Sequence, residues 1–171
     1  MTMLTSELTS GVVLADAGVF VRLRKLGVRL LTRGEETGGR LAVVEYVVPP
    51  HAMGSPVHTH ANEDEITYVA EGTAGVLIGD EDYEAGPGVT IRKPRGIPHA
   101  FWNPGDTPAR LLEILTPAGF ERYFEDMAEA LAAASGGQPD LQRVSAIQER
   151  YGLTMDQASI PVLAQRYGLL P

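Results

Sequence analysis

Residues 54–72 read GSPVHTHANEDEITYVAEG, and the spacing within them decides the fold. His58 and His60 stand two apart, and on a β-strand residues i and i+2 point to one face, so both imidazoles reach one point. Glu65 follows at the start of the next strand, where a short turn returns its carboxylate to that point. A second stretch, residues 88–103, reads GVTIRKPRGIPHAFWN and brings His99 in from a third strand. Two strand histidines alone would be ordinary; Glu65 and His99 at these offsets make them a set. Three imidazoles and one carboxylate form a mixed nitrogen–oxygen site suited to one divalent Fe, Mn, Ni, Co, Cu or Zn. Such a site leaves room for water or substrate on a metal that prefers five or six ligands.

Outward from these two stretches, the chain between Val19 and Thr116 reads as short strands. The candidates are 26–32, 41–48, 56–60, 65–71, 73–79, 88–92, 98–103 and 109–116. Turn chemistry bounds them: Gly38-Gly39, Pro49-Pro50, Gly79-Asp80, Gly86-Pro87-Gly88 and Asn103-Pro104-Gly105-Asp106. Strands at such even spacing predict a sandwich or barrel. The strand at 65–71 shows no clean alternation through Ile66, Thr67, Tyr68, Val69 and Ala70. Its outer face is therefore expected to be covered, by the tail or by another subunit. His51 falls in a loop after the two prolines, with no direct role. The acidic run Asp80-Glu81-Asp82 lacks the spaced ligands of a calcium loop and reads as a solvated hairpin turn.

After Pro117 the period changes. Phe120, Phe124, Met127 and Leu131 recur at helical spacing, and Ala128 to Ala134 adds helix formers. Ser135-Gly136-Gly137-Gln138-Pro139 stops this helix. A second helix is predicted from Asp140 to Tyr151, ended by Gly152. A third starts near Ser159, with Pro161 in its first turn and Gly168 after its end. Arg150-Tyr151-Gly152-Leu153 and Arg166-Tyr167-Gly168-Leu169 echo each other as similar helix stops. The expected organisation is a β-domain over residues 1–117, its first 16 residues partly ordered, and an α-helical extension over 118–171 that packs on the barrel or on a partner subunit.

Bulk composition narrows the partners. Hydrophobic residues at 44% supply a core for one domain of 171 residues. A formal charge of −8 repels phosphate backbones and anionic lipid, so neither nucleic acid nor a membrane is an expected partner. The absence of cysteine excludes disulfides, thiolate zinc sites and cysteine nucleophiles. No secretory leader or membrane-length apolar run stands out, so a cytoplasmic protein is the expectation.

The two stretches together resemble the cupin family. Its first motif matches at His58, His60, Glu65 and Gly72, with one departure: the opening glycine would fall at Ala52, and the nearest glycine is Gly54. The second matches at Gly88, Pro94, Gly96, His99 and Asn103. The short gap between the motifs is that of small single-domain, quercetinase-like cupins. The resemblance implies a mostly β fold, a double-stranded β-helix (jelly-roll) barrel with the metal inside its mouth. It also implies a homodimer, since cupins often pair through a barrel sheet.

That resemblance further implies a metal-dependent dioxygenase for a small phenolic or enolisable, flavonol-like substrate. The substrate hydroxyl would bind as its anion, with Glu65 as both ligand and proton acceptor. The alternatives are a non-redox isomerase, cyclase or decarboxylase, and a non-catalytic binding cupin. Thr67 and Val69 share the face of Glu65, and Phe101 that of His99, so they are candidate pocket residues, as are Tyr46 and Met53. Glu113 is a candidate wall or supporting residue. Trp102 is expected to point outward against the tail helices.

Overall fold

The computed structural model describes residues 11–14, 17–134 and 138–170. Its strands are β1 Val19–Leu23, β2 Leu26–Thr32, β3 Ala42–Val48, β4 Met53–His60, β5 Asp64–Glu71 and β6 Ala74–Ile78. They continue as β7 Glu81–Ala85, β8 Thr90–Lys93, β9 His99–Trp102, β10 Ala109–Thr116 and β11 Leu153–Met155. The helices are α1 Gly34–Thr37, α2 Glu121–Ala132, α3 Leu141–Arg150 and α4 Ser159–Tyr167. The strands form two antiparallel sheets, ordered β1-β2-β3-β10-β5-β8 and β11-β4-β9-β6-β7. The fold is mostly β, a jelly-roll barrel followed by a helical extension.

Alternation along the central strands builds the interior. In β3, Ala42, Val44, Tyr46 and Val48 are buried, and in β10 so are Ala109, Leu111, Glu113 and Leu115, while their intervening neighbours are half-buried. This is the period of two expected where one face of a strand packs on a core. The register seats Leu111 between Tyr46 and Val69 in an apolar layer. Glu113 and Thr67 face each other one step further along the same strands.

Three expectations are corrected. The strand at 65–71 does alternate: Glu65, Thr67 and Val69 point inward, and Tyr68, on the other face, is 44% exposed. Among the described residues of the tail, α2 packs chiefly against β1 and β3 and α4 against β4, so of the two expected covers another subunit is the one left open. The aromatic and β-branched residues there serve the strand itself. In the acidic run, only Asp80 lies in the turn. Ile78 pairs with Glu81 across Gly79-Asp80, with Gly79 at φ 59°, so Glu81 and Asp82 begin β7. Finally, the extension is not purely helical, since β11 joins β4, with Leu153 opposite His60 and Met155 opposite His58.

The helices follow their signals closely. Asp140 caps α3 by accepting from the amides of Gln142 and Arg143. Pro161 sits in the first turn of α4, and Gly168 ends it in the left-handed region, as Gly152 does beyond α3. In α2 the buried face is Tyr123, Phe124 and Met127, with Phe120 just before the helix and Leu131 only half-buried. The expected stop at Ser135-Gly136-Gly137 lies outside the described residues, as does most of the segment before Asp16. Trp102 does face the tail: its ring stacks on Tyr167 at 4.0 Å. Among the described residues, no helix is long and apolar enough to cross a membrane.

Candidate metal centre

The centre is assembled from both sheets. β4 presents His58 and His60, and β9 sets His99 directly opposite His58. Glu65 arrives from β5 of the facing sheet. One ligand atom from each of these four buried side chains lies within 4.8 Å of the others, so the group could hold a metal ion.

Backbone carbonyls fix two of the imidazoles. Nδ1 of His58 is 2.9 Å from the Pro56 carbonyl, and Nδ1 of His99 is 2.9 Å from that of Ile97. A carbonyl only accepts, so Nδ1 carries the proton in both rings and Nε2 keeps its lone pair for a metal. The third imidazole is held differently. Nδ1 of His60 is hydrogen-bonded to the carboxylate of Glu63, which is itself buried. Its Nε2 is buried without a hydrogen-bond partner and stands 3.4 Å from Glu65 Oε1. An orphaned imidazole nitrogen among two other ring nitrogens and a carboxylate fits a divalent transition metal.

A polar chain runs from this cluster into the barrel. Lys93 lies directly opposite Glu65 in the β5–β8 register, and its Nζ is 2.9 Å from Glu65 Oε2 and 2.9 Å from Glu113 Oε2. Thr67 donates its hydroxyl to Glu113 Oε2 at 2.8 Å, whereas Glu113 Oε1 is buried without a partner. Burial pushes both carboxyls up, but the outcomes differ. At Glu65, Lys93 together with the imidazoles of His99 and His60 outweighs burial and holds the carboxyl well below its usual range. At Glu113, burial prevails over Lys93 and places the carboxyl at about 7. The difference is one of neighbours, since Glu65 lies beside an ammonium and two imidazoles while Glu113 has the ammonium and one hydroxyl. Burial, followed by the neighbouring His99 and His60, lowers His58 well below the usual imidazole value and keeps it neutral, as a ligand must be.

Aromatic rings enclose the site. Phe120 lies edge-on to His60, with centroids 4.4 Å apart, and stacks on Tyr123. Tyr46 stacks on Phe101 at 5.2 Å and meets Phe124 edge-on, and Lys93 Nζ is 5.5 Å from the Phe101 centroid. The start of the extension therefore covers the barrel mouth. A surface cleft of about 620 Å³ lies nearby between Gly34, Gly38, Gly119, Arg122 and Tyr151, but none of the four candidate ligands lines it. The chemistry belongs to the buried cluster, where the convergent donors are.

Of the expected pocket residues, the structure brings Thr67, Tyr46 and Phe101 to the polar chain. Val69 belongs to the apolar layer beside Leu111. Met53 is displaced from the pocket wall: the register sets it opposite Trp102, on the face turned toward α4. His51 is in its loop, bonded to Asp106 away from the site. Glu63, Lys93 and Phe120 are the neighbours that sequence reasoning did not assign to the site. The available signals were the position of Glu63 three residues after His60 and that of Lys93 two residues after the inward Ile91.

The comparisons with known proteins agree with this geometry. The family model described as a cupin domain matches residues 44–115. An uncharacterized protein of Methanocaldococcus jannaschii is 32% identical over 77 residues, 44% of this chain, and the chain covers 59% of that relative's length. KdgF from a Halomonas species superposes with a TM-score of 0.57 at 18% identity, over 64% of this chain and 96% of that one. A predicted oxalate decarboxylase from Thermotoga maritima superposes with a TM-score of 0.58 at 19% identity, over 62% of this chain and 98% of its own. At such identities the two structures speak for the fold alone. Two motifs in order, a barrel with the histidines inside its mouth and a matching family model establish that residues 44–115 of this chain form a cupin domain.

Proposed function

We propose that the protein is a metal-dependent cupin enzyme that acts on a small phenolic or enolisable substrate, first of all as a dioxygenase. The observation that carries the metal reading is the meeting of four buried ligand atoms with His60 Nε2 left unpartnered. A divalent metal held by His58, His60, Glu65 and His99 would supply Lewis acidity toward a hydroxyl and, if redox-capable, electrons for O₂. The protein's own part is structural and electrostatic. Pro56, Ile97 and Glu63 orient the rings, Lys93 compensates the carboxylates, and Tyr46, Phe101 and Phe120 exclude water around a flat substrate.

One observation favours the non-redox reading, an isomerase, cyclase or decarboxylase. The Lys93–Glu113 pair gives the site proton-handling groups that oxygen chemistry does not require. Oxygen-electrode and anaerobic assays of protein reconstituted with Fe, Mn, Co, Ni, Cu or Zn separate the two. Oxygen uptake with phenols or flavonols on a redox-capable metal supports the dioxygenase, and turnover without O₂, sustained by zinc, supports the alternative. Wild type that retains no metal after reconstitution refutes both. A homodimer belongs to the same proposal, supported by the uncovered outer face of β5 around Tyr68 and tested by sedimentation.

A further inference from the structure

Glu65, the carboxylate expected to accept a proton, is fully engaged. Its Oε2 takes Lys93 and lies 3.0 Å from His99 Nε2, and its Oε1 faces His60 Nε2. Glu113 is placed differently. It is 1% exposed, at the middle of β10, with Oε2 held by Thr67 and Lys93 and Oε1 buried without a partner. A buried carboxyl oxygen left unpaired is unfavourable, so the position favours a group that donates to Oε1. Lys93 bridges Glu113 Oε2 to Glu65 Oε2 and so sets the Glu113 carboxyl one ammonium away from the ligand cluster. The charged and titratable groups facing Glu113 are Tyr46 from β3, Glu65 from β5 and Lys93 from β8, beside the hydroxyl of Thr67.

We propose that Glu113 is the catalytic acid–base of this site: its Oε1 takes the proton of a substrate hydroxyl presented at the metal centre, and Lys93 positions it. This assignment rests on the metal-dependent reading above. The substrate O–H bond breaks, its electron pair stays on the substrate oxygen, and the proton forms a new O–H bond at Oε1. In a ketonisation the proton is then returned to carbon, where the electron pair of the C=C bond forms C–H and the Glu113 carboxylate is restored. No other reactant is consumed. A carboxyl that burial raises to about 7 both accepts and returns a proton near neutrality, and its Oε1 is unpaired, whereas both oxygens of Glu65 lie against Lys93 and the imidazoles. The substrate class follows: a molecule that arrives with its hydroxyl neutral and leaves that proton inside the barrel.

The test uses Co²⁺-loaded full-length protein and catechol at about pH 8, where a phenol is un-ionised. Calorimetric titration in two buffers of different ionisation enthalpy counts the protons handed to solvent. Wild type is expected to bind catechol and keep its proton. Glu113→Gln is expected to release that proton to the buffer or to lose binding, with its Co²⁺ stoichiometry and d–d spectrum unchanged. Glu113→Asp, which keeps the carboxyl, is expected to retain the proton. Equal proton release by wild type and Glu113→Gln overturns the proposal, as does Co²⁺-loaded wild type that does not bind catechol. Failure of wild type to take Co²⁺ at all sinks the metal-dependent reading, and the proposal with it.

Discussion

The ring of Phe120 lies edge-on against the imidazole of His60, with centroids 4.4 Å apart, so the residue just before α2 forms part of the wall of the candidate metal centre. Glu121 fastens this corner by accepting from the amides of Gly34 and Gly119. Phe120→Ala removes the ring and opens that wall. A loss of about 3–5 kcal/mol in chemical denaturation is expected, the usual cost of truncating a buried phenylalanine. Chelator extraction of Co²⁺ should quicken at the same time; an unchanged extraction rate would show that metal leaves by another route.

Glu63 makes His60 the ligand with a charged partner, while His58 and His99 lean on carbonyls. A carboxylate behind an imidazole raises its basicity and fixes its orientation, and losing such support typically costs 10–100-fold in metal affinity. Glu63→Gln is therefore expected to weaken Co²⁺ binding by about that factor and to leave one equivalent bound at saturation. Competition against a chromophoric chelator measures it. Unchanged affinity would mean that Glu63 only packs.

For Glu113 the sign of the pH effect is fixed by its raised carboxyl. The folded protein binds this proton more tightly than the unfolded chain, so its contribution is intact below the unfolded value of 4.5 and is lost as pH rises through about 7. In the metal-free protein, the stability of wild type relative to Glu113→Gln should fall across that window. Urea titrations at several pH values report the difference. A flat difference would mean that Lys93 neutralises Glu113 more fully than its single ammonium suggests.

Trp102 is the sole tryptophan, and its ring is sandwiched between Tyr167 and Gly75, where an added Cβ would come within 2.1 Å of the indole. Tyr167→Ala exposes the indole and should shift its fluorescence to the red. It should also cost about 0.5–1.5 kcal/mol beyond the area lost. Gly75→Ala displaces the ring from below and should cost about 1–3 kcal/mol, as overpacking does. Unshifted emission in Tyr167→Ala would mean that α4 does not hold Trp102.

The barrel and its four candidate ligands were legible because period and spacing encode them: His58 and His60 share a face, and β2 and β10 alternate or run apolar between clear turns. The strands that escaped notice lacked those signals. Residues 81–84 in β7 are all exposed and three of them are acidic, and β11 has only three residues, held in place by β4 rather than by any preference of its own. Lys93, Glu63 and Phe120 were hidden for another reason. Each acts through a partner brought near by the fold, and a lysine two residues after Ile91 reads as solvated until Glu65 and Glu113 are seen on either side of it. Met53 failed as a pocket residue because the irregular register between β4 and β9 turns it with Trp102.

The pairing of β11 with β4 has a consequence for how the chain matures. Until residues 153–155 arrive, the strand bearing His58 and His60 is an open edge, able to recruit a stray strand from another molecule. During synthesis, almost a hundred residues must emerge after His60 before that edge closes. On the newborn barrel β11 thus acts as a built-in chaperone for the histidine-bearing strand.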